Sequence, residues 1–146
     1  LLHNVGKVVL HNLDPDRFEK TIEKSHNDQC SDCEAETELF KVNHPEVAAA
    51  IMTKWQMEPD LIDAIRWYVD YDQNPDLSSK ARGVAQVVNL ANKIVSTHNI
   101  AMGSFAEPTD FAEDPTAIDM DVNPKQIDDI AEKTKELFEE ERSLFG

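Results

Sequence analysis

Apolar residues recur at helical spacing through most of the chain, and no segment sustains a two-residue alternation. The chain opens on an apolar run with polar residues set into it, Leu1-Leu2-His3-Asn4-Val5-Gly6-Lys7-Val8-Val9-Leu10. Asp14-Pro15 reads as a helix cap followed by proline at the first helical position. It predicts a helix from about Pro15 to Lys24, with Phe18 and Ile22 four apart and a polar break from Ser25 to Gln29. Ser31-x-x-Glu34 and Asn43-His44-Pro45-Glu46 are capping boxes. The second box starts a helix carrying Val47, Ile51, Met52 and Trp55, and its run Ala48-Ala49-Ala50 permits close packing. Pro59 opens another helix, with Leu61 or Ile62, Ile65, and Tyr68 or Val69 as its inner face. After a turn-rich break at Asp72 to Asp76, Ser78 or Ser79 caps the strongest helical stripe: Val84, Val87, Val88, Ala91, Ile94, Val95 and His98. Residues 99–122, broken at Gly103, Pro108 and Pro115, read as a long surface connection with short turns of helix, pinned by Phe105 and Phe111. Asn123-Pro124-Lys125-Gln126 caps a last helix whose stripe is Ile127, Ile130, Ala131, Thr134, Leu137, Phe138 and Phe145. The class predicted is all-α, in short helices joined by capped turns.

Composition narrows the function classes. A chain of 146 residues with 40% hydrophobic and 29% charged residues has the means for one domain with a core. It shows no signal-peptide pattern and no apolar run near the roughly 20 residues that span a bilayer, so a cytoplasmic protein is the default. A net charge of −15 repels phosphate backbones and anionic headgroups, which argues against nucleic acid and membrane as partners. The acidity concentrates late, with 13 Asp/Glu against 4 Lys/Arg in residues 107–146. That stretch reads as a solvated helix face or as a docking surface for a basic partner. The first residue falls inside an apolar segment without a cap, so the ordered region is expected to begin within a larger domain.

Two stretches carry candidate chemistry. On a helix, His3 and Lys7 share a face, and Gly6 allows another backbone to approach closely. Apolar neighbours are expected to bury this segment, so His3 and Asn4 require partners. The second stretch is Cys30-x-x-Cys33 at a loop–helix junction, with Cys33 in the first helical turn. Asp28, Asp32, Glu34 and Glu36 oppose thiolate formation there. Together with His26, and His11 or His44 as a fourth ligand, the pair has a weak zinc or redox pattern; two ordinary thiols are the plainer reading. His98, at a helix end, is expected to interact with the helix dipole.

Leu-Leu-His-Asn-x-Gly-Lys resembles the Leu-Leu-His-Asp-x-Gly-Lys of the HD superfamily of metal-dependent phosphohydrolases, and most closely its HDOD branch of bacterial signalling proteins. His44-Pro45-Glu46-Val47-Ala48, Trp55, Pro59 and Ala64-Ile65-Arg66 follow in the family's order, and Ala91-Asn92-Lys93 resembles its Ala-Asp-x. The resemblance covers most of residues 1–100 and, more loosely, the final helix. It implies an HD-domain-like multi-helix bundle over residues 1–146, lacking the family's N-terminal helical half. In an active relative, histidines and the aspartate hold a divalent metal that generates hydroxide and clamps phosphate, and the lysine can hold phosphate. Here His3, Lys7 and His44 are retained. Asn4 replaces the carboxylate, Ala48 replaces a glycine, the paired histidines fall at Tyr68-Val69, and Asp70 follows as an acidic remnant. The resemblance therefore implies a vestigial pocket of His3, Asn4, Lys7, His44, Tyr68 and Asp70, with no catalytic residue and no cofactor. Any residual metal would rest on His3, Asn4 and His44. The leading expectation is a non-catalytic signal-transduction module acting through signalling proteins or a small ligand, with homo-oligomerisation left open. One alternative is a metal-dependent phosphohydrolase of nucleotides or cyclic dinucleotides, using a divalent metal. Another is an unrelated helical interaction domain, which a wide separation of His3 from His44 would favour.

Overall fold

The computed structural model describes the backbone of residues 2–100 and 108–145. Among these residues the fold is all-α, with eight α-helices, two short 3-10 turns and no strand. The helices are α1 (Val5–Leu13), α2 (Pro15–Asp28), α3 (Asp32–Phe40), α4 (His44–Lys54), α5 (Pro59–Trp67), α6 (Ser79–Thr97), α7 (Pro115–Asp119) and α8 (Pro124–Phe145). The 3-10 turns are Leu2–Asn4 and Tyr71–Gln73.

Helix starts follow the capping chemistry of the sequence. Asp14 accepts the Arg17 amide, and both capping boxes form reciprocally, Ser31 with Glu34 and Asn43 with Glu46. Ser78 Oγ accepts the Ala81 amide at 3.0 Å. Asn123 and Gln126 exchange a further pair of bonds ahead of α8. Helix ends were harder to read. The expected break at Ser25–Gln29 is helical through Asp28: Ser25 Oγ donates back to the Ile22 carbonyl and Lys24 pairs with Asp28 one turn on. The helix stops where Gln29 turns left-handed at φ 51°.

The backbone groups into two compact units, Leu1–Val88 and Asn89–Gly146. In the first, α1 packs on α4 and α2, α2 on α3, and α4 on α5. Gly6 is the reason α1 and α4 approach so closely. A Cβ there would overlap the His44 carbonyl and come within 2.8 Å of its Cα. One core joins Ala48, Met52 and Ile65, with Leu2, Val5 and Leu61 against it. A second joins Ala64, Tyr68, Tyr71, Leu77, Ala81 and Ala85. The Arg82 guanidinium donates to the carbonyls of Tyr71 and Asn74, satisfying the turn between α5 and α6. In the second unit, Leu90, Ile94, Phe111, Ala117, Ile127 and Ala131 form the core.

Several inner faces differ from the sequence reading. Among the described residues of the opening run only Gly6 and Leu10 are fully buried; Asn4, Val8 and Val9 face outward, because α1 has a single covered side. The stripe of α6 is rotated: Ala81, Ala85, Asn89, Leu90 and Ile94 are buried, while Val87 and Ala91 are exposed. Small residues there admit close neighbours, and close packing, not valine content, selects the face. Trp55 ends α4 in the open, and among the described side chains of α8 only Ile127 and Ala131 are buried, with Ile130, Leu137 and Phe138 outside. Phe111 joins its core as expected. Gly103 and Phe105, and the side chain of Phe145, lie outside the described residues.

Candidate functional site

The site is built around His44, the first residue of α4. Its backbone N–H is one of the donors a helix start leaves unpaired, and it donates to Glu36 Oε2 at 2.7 Å. Its ring Nδ1 lies 2.7 Å from the same oxygen. A carboxylate only accepts, so in the neutral ring the Nδ1 proton points at Glu36. Nε2 is then the acceptor, 2.8 Å from the Tyr68 hydroxyl, which donates to it. Glu36, His44 and Tyr68 are all buried. Burial first, and then the electrostatic influence of Cys33, Glu36 and Asp32, push the Tyr68 phenol above its ordinary range and keep it a donor.

His3 closes the cluster from the opening 3-10 turn. Its ring meets Tyr68 edge-on, with centroids 5.4 Å apart, and the His44 ring lies 6.3 Å from Tyr68 on a tilted approach. Tyr68 therefore stands beside both imidazoles. Burial first, then the positive charge of the N-terminus, with smaller contributions from His44 and Lys7, lowers the His3 pKa to about 4, so the ring is neutral at pH 7. Lys7 bonds Asp32 at 2.6 Å. Burial alone would raise the Asp32 carboxyl, but the charge and hydrogen bond of Lys7, helped by Ser25, outweigh it and hold the group below its usual value.

The remaining expected residues disperse. Asn4 is exposed at the start of α1 and makes no capping bond. Asp70 is exposed and accepts from Gln73 at 3.4 Å; partial burial, then Asp72 and Glu34, raise its carboxyl. Val69 packs on the core of Tyr68. Of the Cys30, Cys33 and His26 set, only Cys33 comes to the site. Its Sγ lies 3.9 Å from His44 Nδ1, and the ligand atoms of Cys33, Glu36 and His44 all lie within 4.8 Å of one another. Cys30 is half-buried and His26 exposed, and neither belongs to that group. Burial, followed by the Glu36 charge, pushes the Cys33 thiol up to about 12, which leaves it little nucleophilic or redox reactivity. In the second unit, His98 stacks on Phe111 and lies 3.8 Å from Asp128.

Glu36 is the site residue that sequence reasoning passed over, counting it only as a charge opposing the thiols. The signal available was its spacing: it lies one turn beyond Cys33 on α3, beside Ala35, and a left-handed turn at Lys41 brings His44 back to it.

These residues do not fit the divalent metal of an active HD enzyme. The resemblance sets the aspartate position at Asn4, a neutral amide turned outward, and the paired histidines at Tyr68, which occupies His44 Nε2, and at Val69, which packs hydrocarbon on the core. Lys7, the candidate phosphate ligand, is engaged by Asp32.

The comparisons bear on an all-α multi-helix fold that carries this histidine–tyrosine cluster. The family model described as HDOD domain matches residues 1–71, a span running from the opening turn to just past Tyr68. No curated protein and no solved structure matches the chain.

Proposed function

We propose that the chain is a non-catalytic HDOD-like regulatory module that works through contacts with signalling proteins or through a small ligand. The observation that carries this reading is the Tyr68 hydroxyl on His44 Nε2, where an active relative would place an imidazole-bound metal. The packing framework around it is kept, with Gly6 against His44 and α4 against α5, while the ligand positions have changed. A framework retained without its ligands serves as a scaffold for contacts and not for hydrolysis. A chance resemblance in an unrelated helical domain is disfavoured by the meeting of His3 and His44 at one tyrosine, from helices far apart in sequence. No helix among the described residues is long and apolar enough to cross a membrane, and the net charge of −15 opposes nucleic acid.

The test is hydrolysis of a panel of nucleotides, phosphodiesters and cyclic dinucleotides by the full chain at high concentration with added Mn²⁺. No turnover is expected. Turnover that disappears in His3→Ala would replace this reading with the phosphohydrolase.

A further inference from the structure

We propose that Cys33, Glu36 and His44 form a binding site for a borderline-soft divalent cation of the zinc class, on the side of the His44 ring away from Tyr68. Three observations carry it. The donors are of three types that zinc accepts, thiol sulfur, carboxylate oxygen and imidazole nitrogen. They converge: Sγ to Nδ1 is 3.9 Å, Nδ1 to Oε2 is 2.7 Å, and all three atoms lie within 4.8 Å of each other. They are also held in place, since Cys33 and Glu36 share one face of α3 and His44 is tied by its backbone to Glu36 and by Nε2 to Tyr68. Around an ion with ligand bonds of about 2.0–2.3 Å, one of these separations closes and the other opens by roughly half an ångström.

Charge separates this site from the one the HD pattern would predict. The HD position offers two imidazoles, an amide and an ammonium, and no anion of its own. The Cys33 side offers a thiolate and a carboxylate, which together neutralise a dication. On binding, the thiol proton leaves to solvent and sulfur coordinates. The ring proton passes from Nδ1 to Nε2, which then donates to the Tyr68 oxygen. His44 stays neutral, and Tyr68 becomes the outer partner that orients a ligand imidazole. Three protein donors leave a fourth position for water or an added ligand.

The experiment is a Co²⁺ titration of the full chain after chelator treatment, followed by absorbance. The expected result is one equivalent bound with a thiolate-to-cobalt charge-transfer band that Zn²⁺ displaces. Cys33→Ser should abolish the band, Cys30→Ser and His3→Ala should keep it, and Tyr68→Phe should weaken binding about 10–100-fold. Circular dichroism of each variant verifies the fold. Absence of the band in the unaltered chain overturns the site, as does a band that survives Cys33→Ser. Cobalt bound without the band and lost in His3→Ala overturns both this site and the regulatory reading above; absence of binding overturns the site alone.

Discussion

Each of the two units buries a polar cluster, and the two are built on opposite plans. In the second unit, Asp114 caps α7 through the Ala117 amide at 2.9 Å and pairs with the Lys93 ammonium at 2.5 Å. Beside it the Thr116 hydroxyl donates to Asn89 Oδ1 at 3.0 Å. That cluster is a cap and an ion pair: its carboxylate is already neutralised, and the ammonium would repel any cation. In the first unit, Glu36, His44 and Tyr68 share a chain of hydrogen bonds that ends on one carboxylate, with a thiol at the edge. Nothing in that trio is a lysine or an arginine, and with the thiol it brings together three atoms with affinity for a metal. A buried carboxylate thus has two fates, to lock a helix start or to leave ligand chemistry in place, and the nearest basic group decides between them.

The comparison is broken hardest at the junction that carries the histidine. Gly6→Ala drives a methyl into the backbone of α4, which cannot yield as a side-chain tip can. The expected loss is about 3 kcal/mol or more, read as a fall in the denaturation midpoint by tryptophan fluorescence. Next comes Glu36→Ala, which strands two buried donors of His44 and should cost about 3 kcal/mol. Asp114→Ala should cost about 1–2 kcal/mol, the worth of a cap, because the half-exposed Lys93 can turn to water. Its effect in hydrogen exchange should concentrate after residue 89. Tyr68→Phe should lose about 1 kcal/mol by removing one neutral hydrogen bond.

The smallest effect is in pH. His3 takes up a proton at about 4 in the folded chain against 6.5 when free. Between those values the unfolded chain binds more protons, so stability rises with pH through this window. The His3 contribution is complete above 6.5 and drains away as the pH falls toward 4. The denaturation midpoint of the unaltered chain should therefore fall more steeply over that window than that of His3→Gln. Parallel profiles would contradict it.

The contrast also shows what the sequence makes legible. Local rules were readable because a cap and its target lie three residues apart. Asp14-Pro15, Ser31-x-x-Glu34 and Asn43-x-x-Glu46 therefore gave helix starts directly. Asp114-Pro115 carries the same signature as Asp14-Pro15, and α7 is one of the short helical turns expected within residues 99–122; with no long apolar stripe after it, the sequence leaves its bounds open. The histidine pocket was legible through resemblance, in residue identity at fixed order. That a tyrosine would take the ring nitrogen, that Asn4 would turn outward and that Glu36 would turn inward all depend on helix rotation. Capping patterns do not specify that angle. The same limit misplaced the α6 stripe, where alanines and not valines mark the inner side.

The central claim is that the HD-type position beside His3 no longer holds a dication. It is tested most directly by the electron paramagnetic resonance of Mn²⁺ added to Cys33→Ser, which removes the thiolate site and leaves the histidine pocket intact. The account predicts that the signal of free aqueous manganese persists at one equivalent. Loss of that signal in Cys33→Ser, restored by adding His3→Ala, would contradict it.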